Sequence, residues 1–241
     1  YFPKKDRAFA TSIFNAGASI GALIAPATIP LLAQFFRERG IGGGWEMAFV
    51  VIGALGFIWM GFWVFMYDKP EKSRHVIAAE LEYIHQDDES EACHKKESSK
   101  EESVSLWKCF KYRQTWAFIT GKFLTDGVWW FFLFWAPAYF SDQFGYYSYT
   151  KEGILLITVL YAIVTVISIY GGYLPKLFVD RKGMNPYSGR MLAMLIFAFF
   201  PLAALFAQPL GAHSAWWPAV LIGLAGAGHQ AWSANLFSTI G

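Results

Sequence analysis

The sequence has few charged residues and almost no cysteine. Charged residues fill 16% of the 241 positions, whereas a soluble domain usually carries about 25%. Two cysteines, Cys93 and Cys109, are too few for a disulfide scaffold. The net charge of +2 is too close to balance to suggest a nucleic-acid partner. These shortages argue against a soluble enzyme, a disulfide-rich secreted domain and a nucleic-acid-binding protein.

Apolar residues, by contrast, make up 55% of the chain and are concentrated in six runs. Each run has roughly the 20 residues that an α-helix needs to cross about 30 Å of hydrocarbon. Charged residues occur only in the third run, which contains Lys122 and Asp126. The sequence therefore predicts an all-α polytopic membrane protein with six transmembrane helices, at residues 10–36, 47–67, 116–140, 154–174, 191–208 and 217–240.

Lysine and arginine are distributed unequally between the segments that flank these runs. Residues 1–9, 68–115 and 175–190 contain 16 of the 20 Lys and Arg residues, and the alternate segments contain three. Because positive charge accumulates on the cytoplasmic side of membrane proteins, we expect the first set of segments to be cytoplasmic.

The longest polar segment divides the chain into three regions. Residues 1–67 contain two predicted helices, residues 68–114 form a cytoplasmic linker, and residues 115–241 contain four helices. Within the linker, residues 72–85 predict a short surface helix, and residues 86–103 have the composition of a disordered segment.

The short linker helix would carry an apolar side formed by Val76, Ile77, Leu81 and Ile84. His85, Cys93 and His94 are not spaced as a tetrahedral ligand set. We therefore predict no metal site and no cofactor.

Five stretches carry a more specific pattern: YFPKKDRAFATSIFNAGASIGALIAP (1–26), WEMAFVVIGALGFIWMGFWVFMY (45–67), FITGKFLTDGVWWFFLFWAPAYF (118–140), GGYLPKLFVDRKGMNPYSGR (171–190) and GHQAWSANLFS (228–238). Together they resemble the anion:cation symporter family of the major facilitator superfamily. They are most similar to the bacterial hexuronate transporters, which carry glucuronate and galacturonate with protons.

The resemblance implies a fragment that covers about helices five to ten of a protein built from two six-helix halves. The proton-coupling carboxylates and an anion-binding Arg, which such symporters generally have on the first and fourth helices, would then lie outside this sequence. It also implies a location in the bacterial cytoplasmic (inner) membrane. The partners would be a hexuronate, protons and the lipid bilayer, and the full-length protein would be a monomer.

The two charged residues of the third run are the first candidates for substrate binding. An ionisable side chain at membrane depth costs roughly 2.5 kcal/mol or more unless it faces a cavity or a partner. Lys122 and Asp126 are four residues apart and therefore share one face of a helix. Trp129 and Trp130 follow, and offer stacking surfaces for a sugar ring. A purely structural Lys122–Asp126 pair is the alternative.

Polar side chains in the other runs give further candidates for contacts with substrate hydroxyl groups. The last run contains His229, Gln230, Ser233 and Asn235, whose alternative role is hydrogen bonding between helices. Asn15 and Tyr161 are weaker candidates, and Gly17 and Gly21 beside Asn15 predict a close helix approach.

Other function classes compete with uptake of a hexuronate. Within transport, the alternative substrate is another carboxylate, such as a hexonate or a tartrate-like acid. A membrane enzyme is a remote alternative, because the sequence contains no catalytic triad order, metal motif or phosphate loop, and we predict no catalytic residue. A non-transporting receptor or structural subunit is another.

Overall fold

The computed structural model describes residues 2–3, 5–71, 73, 76–85, 106–148 and 150–240. These residues form helices and contain no β-strand, so the predicted all-α class is confirmed. The helices are α1 (Arg7–Glu38), α2 (Trp45–Met66), α3 (Ala78–His85), α4 (Leu106–Cys109), α5 (Arg113–Phe144), α6 (Lys151–Lys182), α7 (Pro186–Ala198), the 3-10 helix η1 (Phe200–Phe206), α8 (Ala207–Gly211) and α9 (Trp216–Ile240).

Each of the six predicted runs lies mostly in helical structure. Four stretches are long and apolar enough to cross a membrane, namely Arg7–Ala25, Trp45–Met66, Lys151–Lys182 and Pro186–Gly211. Helices α5 and α9 have 32 and 25 residues, which is long enough to cross a membrane, but they are less apolar than the other four stretches. They contain the polar residues of interest, and their membrane crossing stays a prediction, as does the three-region division at residues 67 and 114.

The fifth run is not one continuous α-helix, in contrast to the prediction for residues 191–208. Helix α7 ends at Ala198, and the chain continues as η1 and then α8. Pro201 lies at the start of η1. Because proline has no backbone N–H and its ring clashes with the carbonyl four residues earlier, it interrupts a regular α-helix.

Helices α6 and α9 approach each other closely at Gly171. A Cβ atom at this position would lie 2.2 Å from the Cβ of Ala231. The Asn235 side-chain amide donates a hydrogen bond to the Gly171 carbonyl at 3.1 Å, and a second to the Ala231 carbonyl at 2.8 Å. Small residues therefore bring the two backbones together, and an amide joins them.

Helices α1 and α6 meet at the adjacent residue, Gly172. A Cβ atom there would lie 2.2 Å from Ser12 Oγ and 2.6 Å from the carbonyl oxygen of Ala8. The expectation of a close approach at Gly17 and Gly21 is wrong within the described residues, because a Cβ at either position would meet nothing within 4 Å. In the part of the chain that the structure describes, the close contact between α1 and α6 therefore depends on a glycine of α6 and not on Gly17 or Gly21.

Three of the flanking segments meet at one end of the bundle. Asp6, before α1, contacts both Lys176 near the end of α6 and Tyr83 of α3. At the opposite end, Gln208 donates to Gln143, joining α8 to α5. Asp6, Tyr83 and Lys176, one residue from each of the three segments predicted to be cytoplasmic, are thus together at one end.

The linker helix is shorter than predicted. Helix α3 begins at Ala78, whereas the sequence suggested 72–85. Of its expected apolar side, Ile77 is 66% exposed, while Val76, Leu81 and Ile84 are partly buried. Cys93, His94 and the segment 86–103 lie outside the described residues.

Candidate functional site

The structure brings Lys122 and Asp126 into direct contact on α5. The Lys122 ammonium donates a hydrogen bond to Asp126 Oδ1 at 2.6 Å. The Lys122 side chain is 18% exposed and that of Asp126 is 40% exposed. The pair is therefore accessible from one side of the bundle, which suits both a structural pair and a binding site for an anion.

Helix α9 supplies two more partners for the Lys122 ammonium. Lys122 Nζ donates to Ser233 Oγ at 3.0 Å, and it lies 4.6 Å from the centre of the Phe237 ring. Ser233 and Phe237 are four residues apart and share one face of α9. The cation is thus held between two helices by a carboxylate, a hydroxyl and an aromatic face. Phe237 was not a sequence candidate, although its spacing from Ser233 could have indicated it.

His229 lies one turn of α9 before Ser233 and completes the group. Its Nε2 atom lies 3.5 Å from Asp126 Oδ1, the same oxygen that accepts from Lys122. The imidazole is 5% exposed, and within the described residues neither ring nitrogen has an aligned hydrogen-bond partner. We therefore treat the 3.5 Å contact as electrostatic proximity and not as a formed hydrogen bond.

Trp129 lies beside this group and Trp130 does not. The Trp129 and His229 rings are stacked, with centroids 5.9 Å apart and planes inclined by 9°. Trp130 is 53% exposed and stacks on Phe134, on another side of α5. Of the two predicted stacking surfaces, the structure places Trp129 in the cluster and Trp130 outside it.

The remaining candidates are dispersed. The Tyr161 hydroxyl donates to the backbone carbonyl of Leu133 at 3.2 Å, so it connects α6 to α5. Asn15 is partly buried on α1, and Gln230 is buried on α9. Asn235 is fully buried, and its amide hydrogens are used on Gly171 and Ala231, which favours the helix-packing alternative for this residue.

A cavity of about 310 Å³ adjoins the group on another side of His229. It lies between α5, α7, η1 and α9, and its lining is mostly apolar. We call Lys122, Asp126, Trp129, His229 and Ser233 the α5–α9 cluster. A cation, a hydroxyl, an imidazole and aromatic faces in this arrangement can bind a carboxylate and part of a sugar ring.

The described residues contain no group of three His, Cys, Asp or Glu side chains that could hold a metal ion. His85, from the linker, lies 3.7 Å from Glu71.

Comparison with known proteins identifies relatives along the whole chain. The family model described as Major Facilitator Superfamily matches residues 1–240. The hexuronate transporter of Escherichia coli (strain K12) is 31% identical over 242 residues, covering 99% of this chain and 52% of that protein. The galacturonate transporter of Dickeya chrysanthemi is 29% identical over 213 residues, covering 87% of this chain and 58% of that protein.

A D-galactonate transporter of Escherichia coli O6:H1 is 28% identical over 189 residues, covering 77% of this chain and 41% of that protein. The chain spans about half the length of the curated relatives it matches. These relatives are named as transporters and not as enzymes, and the predicted resemblance to hexuronate transporters is confirmed.

Proposed function

The chain belongs to the major facilitator superfamily, and we propose that its protein takes up a hexuronate anion by proton symport across the bacterial cytoplasmic membrane. It is a multi-pass membrane protein of a transporter family, not an enzyme. We further propose that it acts as a monomer, with residues 1–9, 68–115 and 175–190 on the cytoplasmic side.

The observation that supports an anionic substrate is the position of the Lys122 ammonium between α5 and α9. A charged lysine in a membrane helix requires compensation, and Asp126, Ser233 and Phe237 provide it. A hexuronate has the two properties that this environment fits, namely one carboxylate and a sugar ring. The lysine would bind the carboxylate, and Trp129 would contact the apolar face of the ring.

The relatives support the same class of substrate. The hexuronate and galacturonate transporters are about 30% identical to this chain, and both names denote sugar acids with one carboxylate and a ring form. The proton-coupled mechanism rests on the family resemblance, which assigns the coupling carboxylates to helices outside this sequence. Proton coupling is therefore a separate part of the proposal and needs its own measurement.

A hexonate is the alternative substrate, and the similarity to a D-galactonate transporter favours it over a tartrate-like acid. A hexonate has the carboxylate but is an open chain, so it offers no ring face to Trp129. Competition between D-glucuronate, D-galacturonate, D-galactonate and tartrate for uptake would distinguish these substrates. If galactonate competes best, the hexonate alternative replaces the hexuronate proposal.

The test uses the full-length protein in proteoliposomes with radiolabelled D-glucuronate and D-galacturonate. We expect uptake that increases when the outside is made acidic and that collapses with a protonophore.

Lys122→Ala should abolish most uptake, whereas Lys151→Ala, at the exposed start of α6, should not. Binding without counterflow would indicate a receptor instead of a transporter, and uptake that ignores the proton gradient would exclude symport.

A further inference from the structure

The lysine that would bind the substrate already has a carboxylate partner within the protein. Asp126 Oδ1 is 2.6 Å from Lys122 Nζ, closer than the 3.0 Å from Lys122 to the Ser233 hydroxyl. One lysine has three donor hydrogens, so a third acceptor is possible beside Asp126 and Ser233. A second carboxylate at the same ammonium would nevertheless repel the first, and the substrate therefore competes with Asp126.

The same Asp126 oxygen lies near an imidazole nitrogen that has no aligned hydrogen-bond partner within the described residues. His229 Nε2 lies 3.5 Å from Oδ1, slightly beyond the usual range for a hydrogen bond. The imidazole is 5% exposed, and neither ring nitrogen has an aligned partner within the described part of the chain. A buried donor without a partner is costly, so a movement of Asp126 towards His229 would satisfy both groups.

We propose that Asp126 is an internal counter-ion which the substrate carboxylate replaces on Lys122, and that His229 Nε2–H accommodates the released Asp126 carboxylate. This inference rests on the proposed function, since it assumes an anionic substrate at Lys122. In the empty site Asp126 keeps Lys122 extended towards α9. In the occupied site the substrate carboxylate takes that position, while Ser233 and Phe237 continue to hold the ammonium.

Asp126→Asn is the decisive variant because it preserves the size of the side chain and removes its charge. If Asp126 competes with the substrate, its neutralisation should lower the dissociation constant for D-glucuronate by about two- to fivefold, the scale of a partly exposed ion pair. Tighter binding should also slow substrate release, so the maximal uptake rate should fall.

Two controls isolate the charge at this position. Asp142→Asn neutralises an exposed carboxylate at the far end of the same helix, and it should leave the dissociation constant unchanged. D-Glucuronamide has no carboxylate and cannot replace Asp126, so its weak binding should be the same in Asp126→Asn and in the wild type. Melting temperatures of the purified variants establish that each one is folded.

The role of His229 is tested by a double-mutant cycle with His229→Phe, which keeps a ring for stacking on Trp129 and removes the donor. We expect a roughly fivefold loss of glucuronate affinity when Asp126 is present and no loss in the Asp126→Asn background. A packing role for His229 would give the same loss in both backgrounds and would overturn this part of the proposal.

The outcomes separate this inference from the proposed function. If the folded wild type binds no sugar acid, the proposed function fails. If the wild type binds and Lys122→Ala does not, but Asp126→Asn binds more weakly than the wild type, the proposed function holds and Asp126 is not a competing counter-ion. Tighter binding by Asp126→Asn, unchanged binding by Asp142→Asn and the non-additive cycle would together support the exchange.

Discussion

The carboxylate of Asp6 lies 2.7 Å from the ammonium of Lys176 and joins the start of α1 to the C-terminal part of α6. Tyr83 of the linker helix α3 donates its hydroxyl hydrogen to the other oxygen of the same carboxylate. The contact with Lys176 is an ion pair without hydrogen-bond alignment. One buried carboxylate thus connects three segments that are far apart in the sequence.

Removing one member of this pair should destabilise the protein. Asp6 and Lys176 side chains are 11% and 27% exposed, between a surface pair and a fully buried one. We expect Lys176→Met to cost roughly 1–3 kcal/mol, because the Asp6 carboxylate stays buried without its cation. The melting temperature of the purified protein measures this, and Lys151→Met, exposed at the start of the same helix, is the control. An unchanged melting temperature for Lys176→Met would show that the pair contributes nothing.

The same carboxylate should make stability depend on acid pH. Burial raises the pKa of Asp6, but the contacts with Lys176 and Tyr83 outweigh it, and the net pKa lies below the ordinary value of 3.8. Because the folded-state pKa is the lower one, the stabilisation is present above about pH 4 and is lost as the pH falls through the folded-state pKa. Melting curves between pH 7 and pH 3 should therefore fall less steeply for Asp6→Asn than for the wild type. Parallel curves would contradict the assignment.

The unequal distribution of Lys and Arg between the flanking segments predicts which segments face the cytoplasm. Cys93, in the linker, should react with an impermeant thiol reagent only after the cells are permeabilised. A cysteine introduced at Gly42, between α1 and α2, should react in intact cells. Each single-cysteine variant is compared before and after permeabilisation. Labelling of Cys93 in sealed cells would reverse the proposed orientation.

Substitution of the α6 glycines should be far more harmful than that of the α1 glycines. Gly172→Ala would place a Cβ 2.2 Å from Ser12 Oγ, whereas a Cβ at Gly17 meets nothing within 4 Å in the described residues. We expect Gly172→Ala to lose about 1–3 kcal/mol through overpacking. Gly17→Ala should be neutral or gain up to about 1 kcal/mol from the better helix propensity of alanine. Melting temperatures of the two variants in one detergent provide the comparison, and equal effects would refute the packing argument.

Substitutions of the polar residues Asn235, Ser233 and Gln230 on α9 should affect stability and substrate affinity differently. Asn235→Ala should lower stability and reduce affinity for glucuronate and galacturonate alike, because its amide bonds the backbone of α6 and α9. Ser233→Ala should weaken both acids through the loss of a contact with Lys122. Gln230→Ala is the variant expected to discriminate between the two, which differ at one hydroxyl, with a cost of roughly 1–3 kcal/mol for the acid it bonds. Competition curves at matched expression measure these ratios, and equal losses for Gln230→Ala would place specificity elsewhere.

Local patterns predicted the helices and the Lys122–Asp126 contact. Uninterrupted apolar runs locate helices regardless of tertiary structure, and a spacing of four residues brings two side chains together on any α-helix. The break near Pro201 also has a local signal, because proline lacks a backbone N–H and its ring clashes with the preceding turn of an α-helix.

Contacts between distant residues could not be predicted in the same way. Lys122 and Ser233 are 111 positions apart, and their 3.0 Å contact depends on how α5 packs on α9. The same holds for Asp6 with Lys176, and for the choice between the glycines on α1 and those on α6. A glycine in a helix indicates where backbones can approach, but only the packing shows which glycines are used.

The consecutive glycines 171 and 172 restrict how α6 can move against its neighbours. Gly171 faces Ala231 of α9, and Gly172 faces Ser12 of α1, so both neighbouring helices contact α6 at the same level along its axis. Sliding α1 by one turn would set Ser12 against Ser168 or Lys176, whose side chains fill the space that Gly172 leaves open. A bulkier residue at either position would separate α6 from one of its two neighbours. The glycine pair therefore sets the height at which α1 and α9 meet α6.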